Sequence, residues 1–275
     1  MILEKSCYTG ESMVNYAVIE NDMPPIVLLH GTANRWQVFQ SIMPILSMRW
    51  KIYAPDFRGH GGSEHTENYG FGYYYDDTVR FLSRVVREPA VVFGHSLGGR
   101  IATKIAAEHP ELVRAIILGD SSLKDPEPSD RMGKAFSGLV KLIEENRTQQ
   151  KIYKALAESN HEEFDPVYAM HRAKTLSQLD PKLLKTIAKN GLNLESPGNH
   201  FYGYHPGEHL KKIKCPVLIL QAEYGMLSDQ EIKNAVEILP EAYHVRLMDV
   251  PHEFLYKPIE PLLMALNAFL ETLRE

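Results

Sequence analysis

Short runs of consecutive apolar residues recur along the chain, and most are bounded by glycine, proline or an acidic residue. Runs of this length and continuity are typical of the central strands of a parallel sheet, which is buried on both faces. Six of them predict strands: PIVLLHG (25–31), KIYAPDFRGHG (51–61), AVVFG (90–94), AIILGD (115–120), CPVLILQAE (215–223) and HVRLMDV (244–250).

Segments with helical patterns separate these runs. They are TVRFLSRVV, GRIATKIAAEHP and SDQEIKNAVEIL, and PIEPLLMALNAFLETL closes the chain as a helix. Because strands alternate with helices, the pattern favours a doubly wound α/β core.

The alternation stops between about Ser121 and Pro206. This stretch is polar, its patterns are helical, and Asp-Pro pairs at 125, 165 and 180 mark breaks or helix starts. We therefore expect a core of residues 1–120 and 207–275 and a helical cap of residues 121–206. The alternative is a helical packing layer away from any site.

Composition narrows the function classes. The chain has 275 residues, of which 44% are hydrophobic and 24% charged, as in an ordinary globular protein. A formal net charge of −5 argues against a nucleic-acid partner. No run approaches the roughly 18 apolar residues of a membrane span, and no signal-peptide pattern opens the chain. With only Cys7 and Cys215 available, we expect a cytoplasmic protein without a disulfide framework. The sequence leaves open whether it is a monomer or a homodimer.

The stretch VVFGHSLGGR contains G-x-S-x-G at residues 94–98, between a predicted strand and a predicted helix. This is the context in which a serine becomes a nucleophile on a sharp turn that lifts its hydroxyl above the sheet edge. Glycines are needed at 94 and 98 because side chains there would collide with neighbouring elements. The motif predicts Ser96 as the nucleophile.

Two further parts of such a site are needed, an oxyanion hole and a base. The N–H groups of Thr32, in LLHGTANRW, and of Leu97 are the expected oxyanion donors. The base is expected last in chain order, and His252 lies between the last predicted strand and the last predicted helix.

Together these pieces resemble the α/β-hydrolase fold superfamily, and in particular its helical-cap enzymes. The resemblance rests on HG at 30–31, PDFRGHGGS at 55–63, GHSLGG at 94–99 and the His252 region. It implies a mostly parallel sheet of about eight strands flanked by helices, and a substrate pocket between core and cap. It also implies that Asp56 and Arg58 form a structural turn, and serine at position 96 disfavours a dehalogenase.

The acid that should orient His252 is missing from the place the resemblance implies, because Gly225 stands there. Two carboxylates are the main alternatives. Asp120 closes the strand AIILGD, one strand earlier, and we favour it; Glu223 lies two residues before the usual place and has a longer side chain. Asp229 and Asp249 are weaker alternatives.

Pocket residues are predicted from their proximity to these motifs or, in the cap, from their apolar character. The candidates are His30, Trp36, His95, Arg100, Phe136 and Leu139. Arg100 is either a solvated helix residue or a group that binds a substrate carboxylate.

No metal site is predicted. The histidines at 200, 205 and 209 lie in a segment broken by Gly203, Pro206 and Gly207 and lack an H-E-x-x-H pattern.

The residues therefore predict a serine hydrolase that cleaves a small carboxylic ester through an acyl-enzyme, without metal or organic cofactor. Two alternatives use the same residues. One is a C–C bond hydrolase or a lyase like that of the menaquinone pathway; the other is a ligand-binding member of the fold that does not catalyse.

Overall fold

A computed structural model describes residues 1–125, 130–159, 165–190, 195–196, 198–199, 201–256 and 260–273. Within these residues one sheet contains eight strands: β1 (Leu3–Tyr8), β2 (Met13–Ile19), β3 (Pro25–Leu29), β4 (Lys51–Pro55), β5 (Ala90–His95), β6 (Val113–Gly119), β7 (Val217–Tyr224) and β8 (Ala242–Pro251). Their spatial order is β1-β2-β4-β3-β5-β6-β7-β8.

The sheet is mostly parallel. Only the pairs β1–β2 and β2–β4 are antiparallel, and the strands from β4 to β8 pair in parallel. Every residue of β3 and β5 is buried, as continuous apolar runs require. The predicted α/β class and parallel sheet are confirmed, and each predicted run contains a strand.

The N-terminal hairpin of β1 and β2 was not predicted from the apolar runs. Strand β1 has the sequence LEKSCY and lies at the edge of the sheet with five of its six residues exposed. A strand that buries so little apolar surface leaves no continuous apolar run in the sequence.

Helices cover both faces of the sheet. Those in the described part are α1 (Met43–Leu46), α2 (Phe71–Phe81), α3 (Leu97–Glu108), α4 (Asp130–Asn146), α5 (Gln149–Ser159), α6 (Pro166–Ser177), α7 (Pro181–Asn190), α8 (Pro206–Lys212), α9 (Asp229–Ile238) and α10 (Glu260–Thr272). Short 3₁₀ turns span Trp36–Phe39, Pro110–Leu112 and Phe254–Tyr256, and a π-helical turn spans Leu82–Val86.

Alternate residues of each central strand enter different apolar clusters. In β3, Val27 and Leu29 join the cluster packed with α2, α3, α8 and α9. Ile26 and Leu28 join the cluster packed with α1 and α10. Because both faces of the strand are covered, its carboxyl end is a rigid platform for the loops that follow.

The helices α4 to α7 lie between β6 and β7 in the chain, within the predicted cap segment. Their residues Ile143, Ile152, Leu176 and Leu183 belong to the same apolar cluster as α3. Within the described residues, no helix is long and apolar enough to cross a membrane.

Candidate active site

Ser96 lies on a sharp turn between β5 and α3. Its backbone has φ 52° and ψ −113°, a conformation that is rare for a residue with a side chain and that stores strain. The surrounding chain imposes this turn, because Ser96 N–H donates to the Gly119 carbonyl at 2.9 Å. A Cβ at Gly98 would lie 2.2 Å from the Leu29 carbonyl oxygen. The half-buried serine is thus held at the carboxyl end of β5, where the sequence motif predicts it.

Asp120 directly follows β6, and its side chain is fully buried. Its Oδ2 lies 2.6 Å from Nδ1 of His252, which occupies the turn after β8. Burial opposes ionisation of Asp120 most strongly, but hydrogen bonds from His252 and from the Met226 N–H outweigh it and lower the pKa of the carboxyl. The contact is therefore a charge-assisted hydrogen bond to an ionised carboxylate.

The space beside Gly225, the position where an acid was expected, is occupied by the carboxylate of Asp120. A Cβ built on Gly225 would lie 2.3 Å from Asp120 Oδ2 and 2.5 Å from its Cγ. The Asp120 carboxylate therefore fills the volume that a side chain at 225 would occupy. The backbone around Gly225 also serves this carboxylate, since the Met226 N–H donates to it at 2.7 Å and the Leu227 N–H at 3.3 Å.

Glu223, the alternative acid, has a different partner. Its Oε2 accepts a hydrogen bond from the Asp249 N–H at 2.9 Å, across the bulge where the β7–β8 register shifts. Asp249 itself is exposed and contacts the Tyr224 hydroxyl at 3.5 Å. The structure thus brings Asp120, and neither of these two, to the ring of His252.

The loop after β3 is held by two buried histidines. His30 Nε2 accepts from the Phe57 N–H at 3.0 Å, so its proton is on Nδ1, which donates to the Gly31 carbonyl at 2.7 Å. The Gly31–Thr32 peptide is trans, so its N–H, on Thr32, points in the direction opposite to the Gly31 carbonyl. The hydrogen bond from His30 therefore also fixes the direction of the Thr32 N–H. His60 Nε2 accepts from the Ala33 N–H at 3.2 Å.

Burial keeps both of these rings neutral. It lowers the pKa of His30 well below its usual value and that of His60 to about 4. Neutral imidazoles can each accept one backbone N–H and donate to one carbonyl, as the loop requires. Leu97, the other expected oxyanion donor, is the first residue of α3, where an N–H has no partner in its own helix.

The structure changes the interpretation of four predicted pocket residues, because their side chains are buried. His30 lies beneath the loop just described, and His95 packs against His252 with ring centroids 4.8 Å apart. Trp36 belongs to the apolar cluster on the α10 side. Arg100 is 3% exposed, which excludes the solvated interpretation; its guanidinium lies 4.2 Å from the centroid of the Phe201 ring.

Burial also lowers the pKa of Arg100 to about 10. Phe136 and Leu139 are half-buried on α4 and pack against the cluster that contains Leu97. These two remain candidates for the pocket wall.

Sequence reasoning missed the contacts between the helical insertion and the loop after β3. Arg172 on α6 donates from Nη1 to the Ala33 carbonyl at 2.7 Å. In the other direction Arg35 donates to the Thr175 hydroxyl at 3.3 Å and to Gln178 Oε1 at 3.1 Å. No motif marks Arg172, because its role depends on a loop 139 residues away in sequence.

The segment with the three histidines shows no metal-binding geometry in its described part. His205 and His209 have ring centroids 6.4 Å apart, and His209 Nε2 lies 3.6 Å from Glu108; His200 lies outside the described residues. Within the described ranges no group of three or more His, Cys, Asp or Glu side chains could hold a metal ion.

A serine turn after β5 and a histidine after β8, on an eight-stranded and mostly parallel sheet, define the class of α/β hydrolases. A family model described as the alpha/beta hydrolase fold matches residues 24–257. The chain therefore belongs to the α/β-hydrolase fold family, as the motifs predicted.

Individual relatives match less of the chain. The 2-(acetamidomethylene)succinate hydrolase of Mesorhizobium japonicum is 37% identical over 98 residues, which are 35% of each protein. The curated relatives share only 31% to 52% of their own length with this chain.

Solved structures match nearly the whole chain. A structure of E-2-(acetamidomethylene)succinate hydrolase has a TM-score of 0.75 at 22% identity, covering 98% of this chain and all of that one. A structure from work on carboxylesterases of Nitrososphaera gargenis has a TM-score of 0.79 at 18% identity and covers 98% of each chain. At these identities the likeness concerns the fold.

Proposed function

We propose that the protein is a serine hydrolase that cleaves a small carboxylic ester through an acyl-enzyme. The observation that carries this proposal is the 2.6 Å contact between His252 Nδ1 and the buried carboxylate of Asp120. An ionised carboxylate only accepts hydrogen bonds, so Nδ1 carries the proton and Nε2 keeps its lone pair for the serine hydroxyl.

The reaction follows from this proton arrangement. Ser96 Oγ attacks the ester carbonyl while His252 Nε2 takes its proton, and Asp120 stabilises the imidazolium that forms. The N–H groups of Thr32 and Leu97 stabilise the oxyanion. His252 then gives the proton to the leaving alcohol, and it later activates the water that releases the acyl group.

The helical insertion acts in this proposal as a cap over the site. Support comes from the reciprocal contacts of Arg172 with the Ala33 carbonyl and of Arg35 with Thr175 on α6. They tie α6 to the loop that carries the oxyanion donor Thr32. A cap docked there limits the size of the acyl group and shields the site from bulk water.

A panel of p-nitrophenyl esters of increasing acyl length tests the proposal. We expect turnover of short esters, abolished by Ser96→Ala, which removes the nucleophile with little change in volume. Absence of turnover for every ester would refute the ester hydrolase. A ligand-induced rise in melting temperature without turnover would then favour a binding protein, and cleavage of a β-diketone would favour the C–C hydrolase.

A second candidate, hydrolysis of substrates that carry a carboxylate, is favoured by Arg172. Burial is the strongest influence on its pKa, but Tyr256, Glu253 and Tyr168 together outweigh it and raise the pKa. The guanidinium of Arg172 is therefore permanently charged, and it contacts the carbonyl of Ala33, the residue that follows the proposed oxyanion donor Thr32. A named relative hydrolyses a substituted succinate, a substrate with two carboxylates.

Charge selectivity distinguishes the two candidates. If Arg172 binds a substrate carboxylate, mono-p-nitrophenyl succinate is preferred over p-nitrophenyl acetate, and Arg172→Met abolishes that preference. Equal loss of activity toward both esters in Arg172→Met would show that the arginine only supports the loop.

A further inference from the structure

His95 is a buried titratable group that the proposed reaction does not use. It is the last residue of β5, directly before Ser96, and its side chain has no exposed surface. We propose that His95 is a positioning residue that fixes the base, His252, to the turn that carries the nucleophile. This proposal rests on the proposed function, because it assigns the part that His95 takes in that reaction.

Two contacts join His95 to His252. His95 Nε2 lies 2.8 Å from the backbone carbonyl oxygen of His252, and the two rings lie with centroids 4.8 Å apart and an interplanar angle of 37°. One side chain thus holds both the main chain and one face of the imidazole of the base. Phe254 closes the arrangement by packing edge-on to the ring of His95 at 5.5 Å.

The hydrogen bond determines where the proton of His95 lies. A carbonyl oxygen only accepts, so Nε2 must carry the proton. The other nitrogen, Nδ1, is buried without a hydrogen-bond partner among the described residues. It faces Gly31, where a Cβ would come within 2.9 Å of it.

A neutral ring fits this environment, whereas a charged ring does not. Protonated His95 would bury an N–H on Nδ1 without an acceptor, next to Gly31. It would also place a second positive charge beside His252 when that residue takes the serine proton. Burial first, and the proximity of the His252 ring second, lower the pKa of His95; they outweigh Glu253, the hydrogen bond to the His252 carbonyl and Asp120, which raise it.

The location of His252 explains why such an anchor is needed. His252 follows β8, the edge strand opposite β1, in a turn rather than in a helix or strand. Asp120 fixes its Nδ1, but a hydrogen bond to a ring atom does not itself fix the backbone of His252. Because His95 and Ser96 are adjacent in the chain, the bond from His95 ties any movement of the base to the nucleophile.

Two variants separate the hydrogen bond from the bulk of the ring. His95→Phe keeps an aromatic ring but cannot donate, and His95→Gln places an amide N–H the same number of bonds from the backbone. We expect His95→Phe to lower kcat about 10- to 100-fold, as misplacement of a catalytic group does, with KM within about twofold of wild type. His95→Gln should recover most of this loss.

The same variants give a signal that does not depend on turnover. The proton between His252 Nδ1 and Asp120 should give a low-field NMR resonance that broadens or moves upfield in His95→Phe and stays in His95→Gln. Thermal melting shows whether each variant is folded. The proposal is overturned by a folded His95→Phe protein with wild-type kcat and an unmoved resonance, or by a His95→Gln protein as impaired as His95→Phe.

The wild-type protein provides a test that needs neither a folded variant nor a known substrate. Ring ¹⁵N shifts should show that the pKa of His95 lies below that of an ordinary histidine, and that the neutral ring carries its proton on Nε2. A proton on Nδ1 of the neutral ring, or a His95 pKa at or above that of an ordinary histidine, would overturn the proposal even if every ester is cleaved. Failure to cleave any ester, with His95 as described, would instead overturn only the hydrolase.

Discussion

Exchanging the residues at positions 120 and 225 tests the inference that both positions share one volume. In Asp120→Gly the ring of His252 loses its carboxylate, and kcat should fall about 10⁴-fold, the usual effect of disabling the acid of a triad. The double variant Asp120→Gly/Gly225→Asp restores a carboxylate from the opposite side of the gap. A Cβ at 225 lies 2.3 Å from the present position of Oδ2, the atom that contacts His252.

The double variant should regain part of the kcat that Asp120→Gly loses. We expect the double variant to recover at least about 100-fold of the lost kcat, equivalent to about 2.7 kcal/mol of transition-state stabilisation. Gly225→Asp alone should be impaired, because two carboxylates cannot occupy one volume. All three proteins are compared by ester hydrolysis and by thermal melting. A folded double variant that is no more active than Asp120→Gly would refute the shared-volume reasoning.

Substitutions at Gly98, Glu223 and Asp120 test separate parts of the site. Gly98→Ala should lower the free energy of unfolding by about 3 kcal/mol or more, because overpacking against a rigid backbone costs more than overpacking usually does. The control is Gly138→Ala on α4, where an added Cβ would have nothing within 4 Å. In denaturant melts this control should be neutral or slightly stabilising. Glu223→Gln should keep near-wild-type kcat, since its amide oxygen can still accept from the backbone; a loss of several orders of magnitude would make Glu223 the acid. The pKa of Asp120 is lowered in the folded protein. Its ionised carboxylate therefore stabilises the fold above about pH 4, and this stabilisation is lost as pH falls through the folded-state pKa. The difference in melting temperature between wild type and Asp120→Asn should shrink below about pH 4, and a constant difference would contradict this.

The sheet could be predicted because the physics that forms it is local in sequence. Strands such as β3 and β5 are buried on both faces, so their sequences are uninterrupted apolar runs. The turn at Ser96 was equally visible, because its glycines are dictated by collisions with the adjoining strand and helix. The exposed edge strand β1 escaped prediction, since its polar residues satisfy no burial pattern.

The supporting residues of the site could not be found in this way. The sequence shows Gly225 only as a missing acid; its meaning appears when the carboxylate of Asp120 is found in the same volume. His95 and Arg172 act on backbone carbonyls of distant loops. Every residue has a backbone carbonyl, so the residue type of the partner gives no sign of such a contact.

We propose that Ser96 is a nucleophile activated by His252 and Asp120. Intact-protein and peptide mass spectrometry after treatment with a fluorophosphonate measures this directly, because the reagent reacts with activated serines. We predict one adduct per chain, located on Ser96 and formed much more slowly in His252→Ala. No adduct on Ser96, or an adduct that forms equally fast without the histidine, would contradict the account.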